Sequence, residues 1–418
     1  MIWLLGGYMW LFVHRPFEIW PTLADLQVER AYMLLMIAYW AVQPNKGWLP
    51  NRIHAGLVVF TLVITAAWVA SPYMGLPYCA TIMEDYYKVL VFYVLVVTSV
   101  RDEDGLRKLL TLYLIAVALY TGHSFWEYLH GRCQWRMGVR RMIGVDQSLG
   151  DANGFAANLD YTLPLLLPFW LSRPRWWVKT LLIGYTLLAY TCILLTGSRT
   201  GLLGVLLCTL MCLFSVGRIK TALGLIVALA VAAPVVYAAL PEDLQLRYMT
   251  IIDPSVGPAN AEESAEGRIN GLVYGFEAWQ RSPLLGFGPG GFKFAEDQPI
   301  GTHNIIGQTI SETGAAGAAA FLFLLACFWL NGREARRLRR ENPELRKTFA
   351  SQVVRSVGLI LVLLLFHGQA GHNLFRYYWV WFGAFQAIGL HCLRQRAALA
   401  AAPEEEEAEG AAPEAVPA

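Results

Sequence analysis

IHAGLVVFTLVITAAWVAS (Ile53–Ser71) runs nineteen residues without an aspartate, glutamate, lysine or arginine. A helix rises about 1.5 Å per residue and the hydrocarbon core of a bilayer is about 30 Å thick, so a stretch of this length and character reads as a membrane-spanning helix. TALGLIVALAVAAPVVYAAL (Thr221–Leu240) reads the same way. Outward from these two, apolar segments recur at about 1–13, 30–43, 53–71, 86–100, 107–126, 157–172, 179–196, 200–216, 221–240, 308–330, 354–369 and 376–393. The first two are short and must draw on flanking residues. The expected fold is an all-α polytopic membrane protein of about twelve transmembrane helices.

Composition agrees. Of 418 residues, 56% are hydrophobic and only 15% charged, against roughly 25% charged in a soluble globular domain. That leaves too little charge to coat soluble domains, and far too much apolar surface for a disordered chain. The 15 Trp, 19 Tyr and 20 Phe suit aromatic belts at membrane interfaces. A net charge of +2 gives no electrostatic footprint for nucleic acid.

Orientation follows from the lysines and arginines between spans. With the N-terminus cytoplasmic, twenty of the 33 fall on the inner side, and GREARRLRR (Gly332–Arg340) is the strongest anchor. Both termini are then inside. A large outer loop, about 241–307, separates segments nine and ten. The first segment has no basic start and no small-residue cleavage site, so it is expected to stay. Residues 1–396 form the membrane-embedded unit, and residues 397–418, rich in Ala, Glu and Pro, read as a disordered acidic tail. Five of the seven cysteines fall within spans. Cys79 and Cys133 fall outside, where a disulfide between them is an open alternative.

The outer charges carry the functional information, because arginine near an apolar boundary is costly and tends to have a task. Arg132, Arg136, Arg140 and Arg141 share one loop, Lys88 starts the fourth segment, and Arg376 follows the eleventh. In LLTGSRTGLLG (Leu194–Gly204), Gly197 and Gly201 bracket Arg199, with Ser198 and Thr200 beside it. Arg199 is thus held in a tight turn at the start of a helix, whose backbone N–H groups face the same space. That is an anion site or, on the plainer reading, an arginine reaching lipid headgroups.

In the long loop, EGRINGLVYGFEAWQRSPLLGFGPGGFKF (Glu266–Phe294) opens with Ile269, Leu272, Val273, Phe276 and Trp279 at helical spacing. Ser282-Pro283 ends that helix, and Gly286, Gly288, Gly290 and Gly291 form a turn. The helix either lies on the membrane surface or presents Arg268 to a ligand. In GTHNIIGQTISETG (Gly301–Gly314), His303 sits just before the tenth segment as a candidate general base. Asn304 is placed to orient it or to bind a sugar hydroxyl. Glu312 lies inside the span, functional or structurally paired. His367 and His372 flank GQAG, and His123 reads as structural. No metal site is expected. Glu84-Asp85 lacks a second acidic cluster, and Asp102-Glu103-Asp104 reads as a solvated turn.

Four stretches are similar to the O-antigen ligase and polymerase superfamily of bacterial membrane glycosyltransferases: RRMIGVDQSLGDANGFAANL (Arg140–Leu159), LLTGSRTGLLG, GRINGLVYGFEAWQRSPLLGFGPGGF and THNIIGQTISETGAAG. With the span pattern, the likeness covers about residues 85–395. It implies transfer of a glycan from an undecaprenyl-diphosphate carrier to an acceptor hydroxyl at the periplasmic face of the inner membrane. That transfer would be inverting, without metal or other cofactor. The acceptor would be lipid A–core for a ligase, another carrier-linked glycan for a polymerase, or a protein Ser or Tyr for an oligosaccharyltransferase. Arg199 and Arg268 match the family's diphosphate-binding arginines, and His303 its candidate base. Arg140, Arg141, Asn153, Ser198, Asn304, Glu312 and Lys88 are the associated substrate-binding candidates. The competing class is a polysaccharide-lipid transporter, which would place its ionisable residues near mid-membrane at broken helices.

Overall fold

The computed structural model describes the chain apart from residues 137, 147–149, 216–218, 254, 255, 257–259, 298–300 and 402–418; within helices, the side chains of 219–222, 225, 228–230, 260–266 and 268 also lie outside the described set. The helices are Ile2–His14 (α1), Pro16–Ile19 (α2), Pro21–Asp25 (α3), Val28–Val42 (α4), Arg52–Val69 (α5), Pro77–Ser99 (α6), Glu103–Leu129 (α7), Ala152–Thr162 (α8), Leu166–Leu171 (α9), Trp176–Leu195 (α10), Arg199–Ser215 (α11), Ile219–Ala238 (α12), Glu242–Met249 (α13), Asn260–Arg281 (α14), Phe292–Ala295 (α15), Ile305–Glu341 (α16), Phe349–Gly368 (α17) and Tyr378–Ala401 (α18). A short antiparallel hairpin, Gln134–Arg136 (β1) with Val139–Arg141 (β2), follows α7. Among the described residues, five helices are long and apolar enough to cross a membrane: α5, α7, α10, α16 and α17. The protein is an all-α multi-pass membrane protein.

Helix α18 is the centre of the bundle. Every residue from Tyr377 to Leu390 is buried, as expected of a helix that is apolar all round. Trp381 anchors it, with ring centroids 4.8 Å from Phe92, 5.2 Å from Phe12 and 5.9 Å from Tyr113. The short α1 is an inner helix, burying Leu5, Tyr8, Met9, Leu11, Phe12 and Val13. By contrast α10 exposes Leu181, Ile183 and Leu187, a face suited to lipid. Gly56 lets α5 and α16 approach closely: a Cβ there would lie 2.9 Å from a Leu324 methyl.

Segment 157–172 is helical through Leu171 but is not one regular α-helix. Pro164 and Pro168 divide it into α8, a 3-10 turn at Leu163–Leu165, and α9. Each proline removes a backbone donor. The carbonyl that Pro168 leaves without its helical partner is Pro164 O, Pro168 O lies in the last turn of α9, and side-chain hydroxyls reach both. The Ser356 hydroxyl donates to Pro164 O at 2.6 Å and the Ser172 hydroxyl to Pro168 O at 2.6 Å. Such local repair is what a low-dielectric surrounding demands.

Helix α16 carries a sharper break. Gly314 has φ 63° and ψ −165°, a region essentially reserved for glycine. The loop after α14 inserts here. Ala315 N–H donates to Pro283 O at 2.8 Å, Ala316 N–H to Leu284 O at 3.1 Å, and Phe287 N–H to Ser311 O at 2.9 Å. The glycine-rich turn expected after Pro283 is this insert, with positive φ at Gly286, Gly288 and Gly290. Beyond Gly314 the helix rises about 40 Å to the GREARRLRR end.

The amphipathic helix expected from residue 266 is α14, and it stops at Arg281, before Ser282-Pro283. Gly271 and Gly275 let it press on the start of α16: Cβ atoms there would lie 1.9 Å from Thr302 O and 2.9 Å from Gly307 Cα. Its apolar residues Ile269, Leu272, Val273 and Phe276 are exposed, as at a membrane surface. Asp102 is the N-cap of α7, its carboxylate accepting from Gly105 N–H, so the acidic run there opens a helix. No two cysteines are bonded; Cys79 is buried in α6, and Cys133 precedes β1. The last helix runs to Ala401, and residues 402–418 of the acidic tail lie outside the described residues.

A Gly314→Ala substitution tests the break. A methyl there meets Leu284 C and O at 2.3 Å, and the strained conformation itself costs about 1–3 kcal/mol. The variant should melt well below the parent in detergent, whereas Ala315→Gly next to it should shift Tm only slightly. Equal melting of Gly314→Ala and parent would remove the insert as a stabilising feature.

Candidate functional site

Three helices begin around one cavity of about 280 Å3. Asp151 caps α8, its carboxylate accepting from Asn153 N–H at 3.0 Å and Gly154 N–H at 3.2 Å. Ser198 precedes α11, its hydroxyl accepting from Gly201 N–H at 3.1 Å. Asn304 caps α16, its side-chain oxygen accepting from Ile306 N–H at 2.9 Å and Gly307 N–H at 3.2 Å. The cavity wall includes Asn153, Thr200 and His303, with Arg136 and Arg376 beside them. Each helix N-terminus carries about half a positive charge, and two guanidiniums add to it. The arrangement favours an anion.

The turn bearing Arg199 is fixed by capping the helix before it. The last carbonyls of α10 have no partner within the helix. Arg141 Nε donates to Thr196 O at 2.7 Å, Arg247 Nε to Gly197 O at 2.6 Å, the Tyr248 hydroxyl to Leu194 O at 2.8 Å, and Met142 N–H to Leu195 O at 2.9 Å. Two of the four donors are arginines, which suits a negative helix end. Gly197, at φ 58°, makes the reversal, and Arg199 is the first residue of α11. Its guanidinium donates to the Thr250 hydroxyl at 3.1 Å.

Strand alternation separates the neighbouring arginines of β2. Arg141 turns inward, is buried, and also donates to Asn153 Oδ1 at 2.8 Å. Burial, with Arg247 and Arg136 nearby, lowers its pKa to about 9, so it stays charged at pH 7. Arg140 turns the other way, onto the Tyr128 ring and the Tyr128 carbonyl. Arg140, Arg199 and Lys88 do not line this cavity, although Thr200 beside Arg199 does. Lys88 sits in an ionic cluster with Glu84 at 3.1 Å, Asp85 at 3.4 Å and Glu29 at 3.8 Å. Arg268 lies in α14, and its side chain is outside the described residues.

Glu312 faces a second cavity, of about 290 Å3, with Arg15, Tyr78, Asp85 and Gln308. Gln308 donates to its carboxylate at 3.3 Å. His372 and Arg376 line both cavities and so form the partition between them. His303 and His372 lie with ring centroids 5.1 Å apart.

His367, on the wall of the first cavity, belongs to a buried pair that the sequence does not reveal: its Nε2 lies 2.8 Å from Asp160 Oδ2. Gly204 of α11 gives this pair its room, since a Cβ there would lie 2.3 Å from the carboxylate and 2.5 Å from the imidazole. A carboxylate within an apolar segment was the available signal, but the partner is 207 residues away. His123 stacks on His14 with centroids 5.0 Å apart, away from both cavities.

His372 stays neutral at pH 7. Burial, then Arg376 and His303, push its pKa down to about 4. The unfolded chain would protonate it near 6.5. The unfolded state therefore binds the extra proton first, and the stability this imidazole supports is complete above pH 6.5 and lost as pH falls toward 4. Melting between pH 6.5 and 4 should fall less steeply for His372→Gln than for the parent. Parallel slopes would show that His372 is not held neutral.

No curated protein matches the chain. Residues 184–322, which hold Arg199, Arg268, His303 and Glu312, match the family model described as O-antigen ligase, and over that stretch the match supports a likeness to the O-antigen ligase and polymerase superfamily.

Proposed function

We propose that the protein transfers a glycan from an undecaprenyl-diphosphate carrier to an acceptor hydroxyl at the periplasmic face of the bacterial inner membrane. This is O-antigen ligase-like work in lipopolysaccharide or surface-polysaccharide assembly. One observation carries the reading. Three helix N-termini, Arg136 and Arg376 surround a cavity that His303 lines, which is the field a diphosphate leaving group needs beside a base.

In this reading about twelve spans place both termini in the cytoplasm, with the cavity and the 241–307 loop outside. The acceptor oxygen attacks the anomeric carbon from the face opposite the diphosphate. The new C–O bond forms as the bond to the diphosphate oxygen breaks, inverting the centre, and His303 takes the hydroxyl proton. Arg199 and Arg268 clamp the diphosphate, with Arg136, Arg376 and Asn153 around it. Such charge-assisted donors are worth about 3–4 kcal/mol each, and a general base adds about 10²–10⁴-fold. No metal is required, because the guanidiniums and helix ends carry the charge. Arg141 and Ser198 act by holding the α10–α11 turn, and Asn304 by starting α16 beneath His303. Lipid approaches past the exposed apolar face of α14.

A reconstituted assay tests this, with a carrier-diphosphate glycan as donor, no nucleotide, and acceptors offered separately. Product on lipid A–core makes the protein a ligase, longer carrier-linked chains a polymerase, and product on a protein hydroxyl an oligosaccharyltransferase. Arg199→Ala and Arg268→Ala should abolish transfer in folded protein. His303→Ala should cost at least about a hundredfold with donor still bound. Movement of intact donor across the bilayer with no transfer to any acceptor would overturn the proposal in favour of transport.

A further inference from the structure

The opposite end of the bundle holds a second charged site. Helix α16 starts at the candidate site and ends at Glu341, and α17 returns from Phe349. Between these ends lies a cavity of about 600 Å3 lined by Arg336, Arg339, Arg340, Arg346 and Arg355, with no carboxylate among the described lining residues. Other arginines of this end have acidic partners: Arg52 and Arg394 share Glu334, Arg396 and Arg107 share Glu103, and Arg337 meets Glu341. Among the described residues no ion pair reaches the five around the cavity. Basic residues at a helix C-terminus are favoured by its dipole, but that alone does not gather side chains from two helices and their connection. Arg346 comes from the connection, held there by its Nε donating to Arg339 O at 3.0 Å and by Gln352 Nε2 donating to Arg346 O at 2.6 Å.

The cavity is graded in polarity. Besides the arginines its lining is Ser215, Gly332, Gln352, Val354, Gly358 and Leu359, and a Cβ on Gly332 or Gly358 would meet nothing within 4 Å. Along α17, Gly358 and Leu359 lie about one turn further into the bundle than Arg355, and along α16 Gly332 lies about one turn further in than Arg336, so the lining passes inward from guanidiniums to small and apolar residues. That gradient matches a phospholipid, with phosphate above and the first acyl carbons below. Basic pockets between transmembrane helices bind anionic headgroups in this way, and arginine presents a planar fork to phosphate oxygens. We propose that this cavity binds the phosphodiester headgroup of an anionic membrane phospholipid as a specific, stoichiometric site, independent of the transfer site at the other end.

Native mass spectrometry of the full chain in detergent tests it, with cardiolipin, phosphatidylglycerol and phosphatidylethanolamine titrated separately and inorganic phosphate as a competitor. The expected result is one tightly held anionic lipid per chain, bound at least about tenfold more tightly than phosphatidylethanolamine. Arg339→Gln with Arg355→Gln should lower that affinity at least about tenfold, and the corresponding lysine pair should restore part of it. Lys347→Gln removes one charge from the same end without lining the cavity and should leave binding unchanged. Melting of each lipid-free variant confirms that it is folded. Equal occupancy in parent and double glutamine variant, or equal weakening by Lys347→Gln, would overturn the proposal. Full displacement of the lipid by millimolar phosphate would show a free-phosphate site and overturn it as well.

Discussion

Inside a bilayer each backbone donor and acceptor must find a partner within the protein, because the solvent offers none. The break at Gly314 is where this constraint shapes the molecule most. A continuous α16 would run straight past the outer loop. Instead the peptide groups of Pro283, Leu284 and Phe287 exchange hydrogen bonds with Ala315, Ala316 and Ser311, so loop and helix complete one another. The short first half of α16 is then free to take its own direction, and His303, just before it, lines the cavity. Gly271 and Gly275 of α14 press on the same few residues. The position of the candidate base is set by backbone contacts from two sides.

The same accounting governs the turn at Arg199. A helix end in an apolar setting leaves carbonyls that cost free energy unless capped. Arg141, Arg247 and Tyr248 cap α10, and this spends two nearby arginines on structure. A positive loop is therefore not a set of equivalent ligands. Strand alternation sends Arg141 to the capping network and Arg140 to Tyr128, while Arg136, two residues before the hairpin's tip at Gly138, is left on the cavity wall. Adjacent charges in sequence take up three different duties in space.

Much of the local structure was legible because it rests on local physics. Helical spacing of Ile269, Leu272, Val273 and Phe276 marks α14, and Ser282-Pro283 marks its end. Gly197 and Gly201 mark the tight turn, and Asn304 stands where a helix begins. Its side-chain oxygen caps α16, a duty the spacing alone does not single out. What could not be read is convergence. The Asp160–His367 pair, the meeting of three helix N-termini, and the partition of two cavities by His372 and Arg376 each join segments far apart in the chain. No periodicity or composition encodes those distances. The division of segment 157–172 was written in Pro164 and Pro168, but hydropathy averages over such breaks.

The two ends of the bundle solve opposite electrostatic problems with the same residue type. At the candidate site three helix starts add to the field of two guanidiniums, and other arginines nearby serve as caps. At the far end α16 terminates, its dipole is negative, and the arginines gather in numbers that the local carboxylates do not match. In the proposed transfer, a donor diphosphate would meet fixed dipoles that need no reorganisation as charge develops on the leaving oxygen, which is the condition for strong transition-state stabilisation. Flexible arginine stems over small and apolar residues suit a ligand that is bound and never transformed. The contrast between preorganised dipoles and mobile side chains is what distinguishes the proposed transfer site from the proposed lipid site.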